Sequence, residues 1–126
     1  LSRLAYRIDP AARTVEALRF DGLPDIYAAV GTPDLDHSAM RRTDGGFACV
    51  WVDDQGYYKR GLKWWRLAGF PEPFAGPAMI TGADQYGEDD DLPLTLTQMA
   101  ALVSWVDGIP PEIAGFRQSF WGFGNG

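Results

Sequence analysis

The chain has 126 residues, of which 46% are hydrophobic and 22% charged, and its formal net charge is −6. That length suits one domain around one core, and the composition is that of a folded globular protein, not of a disordered one. The acidic balance argues against broad attraction to nucleic acid or anionic lipid, and no stretch nears the roughly 18 consecutive apolar residues of a membrane helix.

Residues 1–9 alternate apolar and polar side chains and lack the basic start and apolar block of a secretion signal, so a cytoplasmic chain is expected. Leu4, Tyr6 and Ile8 on one side, and Val15 and Ala17 on the other, predict two half-buried strands. Asp9-Pro10-Ala11-Ala12 between them predicts a tight turn, with proline presetting φ and the aspartate accepting backbone hydrogen bonds. Leu23 to Val30 reads as a two-turn helix, with Pro24 in the first turn, Asp25 at the positive end of the dipole and Gly31 as its left-handed stop. The polar segment from Thr32 to Gly46 reads as a loop.

The middle of the chain is β-rich, with strands expected at Phe47 to Val52, Lys63 to Leu67 and Ala78 to Gly82. The three prolines between Phe70 and Pro77 predict irregular backbone there. Thr95, with Gln98 three residues on, predicts a capping box, and Leu94 against Met99 a hydrophobic staple. Met99, Leu102, Val103 and Val106 then form a helical stripe that Gly108, Pro110 and Pro111 terminate. The fold expected is α+β: a small, mostly antiparallel sheet of about five to six strands, with one short helix and one longer C-terminal helix packed on it. Residues 1–108 form the single domain and residues 109–126 an aromatic, Gly-rich tail, packed or docking.

Chemistry-bearing residues are sparse. His37 is the only histidine and Cys49 the only cysteine, so neither a two-histidine zinc site nor an internal disulfide can form. Cys49, inside Phe47-Ala48-Cys49-Val50-Trp51-Val52, reads as a buried thiol in a strand, and His37 as a solvated loop residue. Asp84, Glu88, Asp89, Asp90 and Asp91 form the densest run of carboxylates and are the candidate metal ligands. They lack the ordered spacing of a calcium loop, and a solvated acidic loop is the competing reading.

From Tyr57 to Arg66 four cations interleave with four aromatics. Tyr57, Lys59, Arg60, Lys63, Trp64, Trp65 and Arg66 are therefore the candidate nucleic-acid residues, with rings to stack bases and cations to follow phosphates. Core packing and edge protection explain the same pattern. Phe116, Phe120, Trp121 and Phe123 form a candidate interaction tail, or else complete the core.

Ile8-Asp9-Pro10 with Val15-Glu16, Ile26-Tyr27-Ala28-Ala29-Val30-Gly31 and Trp51-Val52-Asp53-Asp54-Gln55-Gly56, followed by Gly76-Pro77-Ala78-Met79-Ile80-Thr81-Gly82-Ala83-Asp84, Gly87 and Thr95-Leu96-Thr97, resemble small phage- and plasmid-associated proteins of the domain of unknown function 3846. The resemblance covers nearly the whole chain and implies a mobile-element accessory protein with no assigned activity and no catalytic residues to carry over. The Trp64-Trp65 block and the aromatic tail lie outside that pattern.

The leading expectation is a non-enzymatic binding or regulatory module that needs no cofactor. It would engage a protein partner or a second copy of itself through an aromatic surface or a sheet edge. A nucleotide or single-stranded nucleic-acid binder using Tyr57 to Arg66 is the first alternative, and a metal-dependent hydrolase using Asp84 and Glu88 to Asp91 the second.

Overall fold

The computed structural model describes residues 2–115. Strands β1 (Arg3–Asp9) and β2 (Thr14–Phe20) form the expected hairpin, in which Asp9 Oδ1 accepts from the Ala11 and Ala12 amides at 3.1 and 3.2 Å. Helix α1 (Leu23–Val30) follows and ends at Gly31, whose φ of 92° is the left-handed conformation glycine adopts without a Cβ penalty. Leu23 is exposed, and Ile26, Ala29 and Val30 are the buried residues of the helix.

The segment expected as a loop contains a strand. β3 (Leu35–Arg41) pairs over its whole length with β4 (Phe47–Asp53). β3 has a neighbour on one side only, among the described residues, and this is why polar side chains are compatible with it. His37 is therefore a strand residue, not a loop residue, and its ring stacks on Trp51 with centroids 4.8 Å apart.

A single 3₁₀ turn, Gly56–Tyr58, leads to β5 (Trp64–Leu67), β6 (Phe74–Ala75) and β7 (Ala78–Ala83). Part of the acidic run is also extended: β8 (Asp89–Asp90) folds back on the end of β7. The C-terminal helix is shorter than the stripe predicts. α2 (Leu96–Leu102) begins with the expected capping box, the Thr95 Oγ1 accepting from the Gln98 amide at 3.1 Å and the Gln98 side chain accepting from the Thr95 amide at 2.9 Å. At Leu102 the carbonyl accepts from the Ala68 amide at 2.9 Å instead of from the next helical turn, and β9 (Val103–Val106) runs on as a strand beside β5.

Two antiparallel sheets result. The larger has the order β2-β1-β7-β4-β3 with β8 also on β7; the smaller has the order β6-β5-β9. One face of the large sheet carries Tyr6, Ile8, Val50, Ala78 and Ile80, packed on Trp65, Leu67 and Phe74 of the small sheet and on Met99 of α2. Its other face carries Ala5, Phe20 and Met79 against α1. The architecture is thus α+β in three layers, with the large sheet in the middle. Each large side chain fully buried between layers contributes roughly 1.5–3 kcal/mol.

Residues 111–115 are helical, and Ile113 is buried in one cluster with Trp64 and Ala75, so the described start of the tail packs on the small sheet.

Gly82 is required by a close approach: an added Cβ would stand 2.9 Å from the Asp91 carbonyl oxygen and 3.0 Å from that of Asp90. Gly82→Ala is expected to displace β8 and to lower the unfolding free energy by about 1–3 kcal/mol in a urea titration, against about 1 kcal/mol for Thr95→Ala.

Candidate functional site

At the end of the large sheet where the β3–β4 hairpin turns, the layers part to leave a cleft of about 500 Å³. Its floor is Ala48 and Ile80, and Met99 and Leu102 of α2 form one wall. Leu67 and Phe70 form the other, and the Leu92-Pro93-Leu94 segment crosses the rim. That segment is held in place by the Leu92 amide donating to the Leu4 carbonyl at 3.0 Å and by the Tyr6 hydroxyl donating to the Leu94 carbonyl.

The polar groups lie at the mouth and are bonded to one another. Arg42 Nε donates to both Asp44 carboxylate oxygens at 3.1 and 3.3 Å, and its Nη1 donates to the carbonyls of Phe47 and Ala83. The Gly46 amide, and after it the Arg42 guanidinium, hold the exposed Asp44 carboxyl below its ordinary range. Arg41 lies over the Phe47 ring, 5.1 Å from its centroid. The mouth is a braced frame around an apolar interior, with no histidine, thiol or pair of facing carboxylates lining it.

The Tyr57 to Arg66 segment divides. Trp64 and Trp65 are 3% and 0% exposed and belong to the core, so their rings are not presented for base stacking. Trp65 Nε1 donates to the Gly76 carbonyl at 3.1 Å. Arg66 makes a bidentate bond to Glu112 at 2.7 and 2.8 Å, Lys59 pairs with Asp53, and Arg60 and Lys63 are exposed. Tyr57, half-buried, donates its hydroxyl to the Pro73 carbonyl at 2.6 Å.

Of the five candidate metal ligands, Asp84 and Asp90 line one pocket with Asp44, and Asp84, Asp90 and Asp91 have hydrogen-bond partners of their own. Asp84 Oδ1 accepts from the Tyr86 and Glu88 amides within its own turn. Asp91 Oδ1 accepts from the Leu4 amide at 2.7 Å and from Arg19, and Asp90 Oδ1 from the Asp91 amide. Among the described residues no three His, Cys, Asp or Glu side chains are grouped to hold a metal ion. Cys49 lies in β4 as expected but is half-buried, not fully buried; desolvation, then the charge of Asp89, pushes its thiol pKa up, opposite to what a thiolate nucleophile requires. Phe116, Phe120, Trp121 and Phe123 lie outside the described residues.

The cleft itself is what sequence reasoning missed. Leu94, Met99 and Leu102 stand out in the sequence as staple and helix stripe, yet nothing local marks the space they leave against Ala48 and Ile80.

No family model, curated protein or solved structure matches the chain, so the resemblance to domain of unknown function 3846 gains no support.

Burial, followed by the charges of Glu72 and Glu112, pushes the Tyr57 pKa from 10.0 up to about 12. The unfolded chain ionises first, so this contribution to stability is complete below pH 10 and is lost as pH rises towards 12. Tyr57→Phe is expected to flatten the fall of urea stability across that window and to remove a late-titrating phenol from the 295 nm absorbance curve. An unchanged curve would contradict the burial assigned to this hydroxyl.

Proposed function

We propose that the protein is a non-enzymatic binding module, working through protein–protein contacts, that receives an apolar group of its partner in the cleft at the end of the large sheet. One observation carries this reading: a preformed apolar cavity of about 500 Å³ whose mouth residues, Arg42 and Asp44, are already committed to each other and to backbone carbonyls. Binding sites of this size are lined by apolar side chains with a few fixed polar groups, and a ligand entering one gains by releasing water from its walls. Acid–base catalysis needs a titratable group left available to the reacting atoms, and this lining supplies none beyond the Asp44 carboxylate that Arg42 occupies. The nucleic-acid and hydrolase alternatives draw less support, because two of the stacking rings are in the core and the acidic side chains satisfy separate backbone amides.

The three methionines provide a built-in control. Met40 and Met99 line the cleft, whereas Met79 is sealed on the opposite face of the sheet beneath α1. In protein carrying ¹³C-methyl methionine, titration with N-acetyl-leucinamide or benzene is expected to shift the Met40 and Met99 signals saturably and to leave Met79 in place. Three static signals, or three that move together without saturating, would contradict a specific cleft.

A further inference from the structure

A second surface lies along the outer edge of β3. The Arg42 amide donates to the Gly46 carbonyl at 2.7 Å and the Asp34 carbonyl accepts from the Asp54 amide at 2.8 Å, so the even positions of this strand face β4. By the alternation of an antiparallel ladder, the amides and carbonyls of His37, Ala39 and Arg41 point away from β4. Asp36 Oδ1 accepts from the His37 amide at 2.8 Å, which leaves a continuous outward stretch from the His37 carbonyl through both groups of Ala39 to the Arg41 amide. The edge carries no proline or lysine over β3, the usual means of blocking it.

Beside this edge, on the face to which Asp36 and Ser38 project, is a cavity of about 310 Å³. Asp36, Asp53, Asp54 and Glu72 line it, with Phe74 and Tyr57 among its apolar walls. Lys59 pairs with Asp53, so three of the four carboxylates carry charge not offset by that pair. The charges of Glu72 and Asp36 are both felt at Tyr57, where each adds to the rise in its pKa. A strand added to β3 would run about 4.8 Å away and place alternate side chains on this same face.

We propose that the outer edge of β3, unpaired among the described residues, accepts an extended peptide segment as an added strand, and that a lysine or arginine of that segment, opposite Ser38, enters the acidic cavity. Backbone pairing supplies affinity for any extended chain, and the carboxylates supply the preference for a cation flanked by aromatic rings. This surface does not depend on the apolar cleft being filled.

The test uses the full chain and fluorescently labelled eight-residue peptides of alternating Thr and Val with one central Lys, Arg, Glu or norleucine, read by anisotropy. Lys and Arg peptides are expected to bind about tenfold more tightly than the Glu peptide, with a preference that shrinks as salt rises. Glu72→Gln and Asp54→Asn should reduce that preference and leave the norleucine peptide unchanged. Ala39→Pro removes an outward amide without removing a bond to β4, and is expected to weaken all the peptides about tenfold. Peptides N-methylated at the β3-facing positions make the same deletion from the ligand side, so the test stands even where the proline variant misfolds. Equal affinity for Lys and Glu peptides overturns the cation assignment. Binding indifferent to both proline and N-methylation overturns the added strand. Concentration-dependent dimers abolished by Ala39→Pro, with no peptide bound, overturn the proposal in favour of self-pairing. The cleft is read separately by the Met40 and Met99 methyl signals, so either surface can fail alone.

Discussion

The fold depends on burying β7 from both sides. All six of its residues, Ala78 to Ala83, are buried, and it stands at the centre of the large sheet with β4 on one edge. Its other edge is shared, β1 pairing with Ala78 to Ile80 and β8 with Gly82 and Ala83. Ala78 and Ile80 enter the core beneath the small sheet and Met79 enters the core beneath α1, so one short strand joins both layers. A strand covered on both faces must be apolar or small throughout, and Thr81, its polar exception, accepts from the Trp51 indole at 2.9 Å. Gly82 follows from the same crowding, because the backbone of residues 90–91 lies where a side chain would be.

With the centre so constrained, adaptable surface is left at the periphery. The Arg42 guanidinium ties the tip of the β3–β4 hairpin to the end of β7 through the Ala83 carbonyl. The cleft forms where α2 and the Leu92-Pro93-Leu94 segment span the sheet without filling the space above Ala48 and Ile80. The open edge arises at the same hairpin, because β3 is last in the strand order among the described residues. Both candidate surfaces therefore involve the β3–β4 hairpin.

Elements that carry their own local chemistry were legible in the sequence. The β1–β2 hairpin could be read from period-two alternation around Asp9-Pro10, α1 from its proline start and glycine stop, and the start of α2 from Thr95 and Gln98. β3 was not legible, since Leu35 to Arg41 mixes polar and apolar residues on both faces and is stabilised by pairing with β4, not by burial. β9 was misread because Val103 and Val106 fit a helical stripe as well as a strand. The Ala68 amide, distant in sequence, decides between them by taking the Leu102 carbonyl. Trp64 and Trp65 show the same limit from the functional side: their place beside cations suggested a stacking surface, while both rings are buried, Trp65 against the large sheet and Trp64 on the other face of β5 beside Ile113. Empty space and open edges are relations between distant segments, so no local pattern announces them.

Native-state hydrogen exchange resolved by residue distinguishes a sealed sheet centre from an open hairpin edge. The amides of Met79 to Thr81 are expected to exchange only on global unfolding, those of Ser38 and Met40 to be protected by β4, and those of Ala39 and Arg41 to exchange almost freely. Alternating protection along β3 would establish the open edge in solution. Uniform protection from Ser38 to Arg41 would contradict it, because the outward amides would then already have a partner.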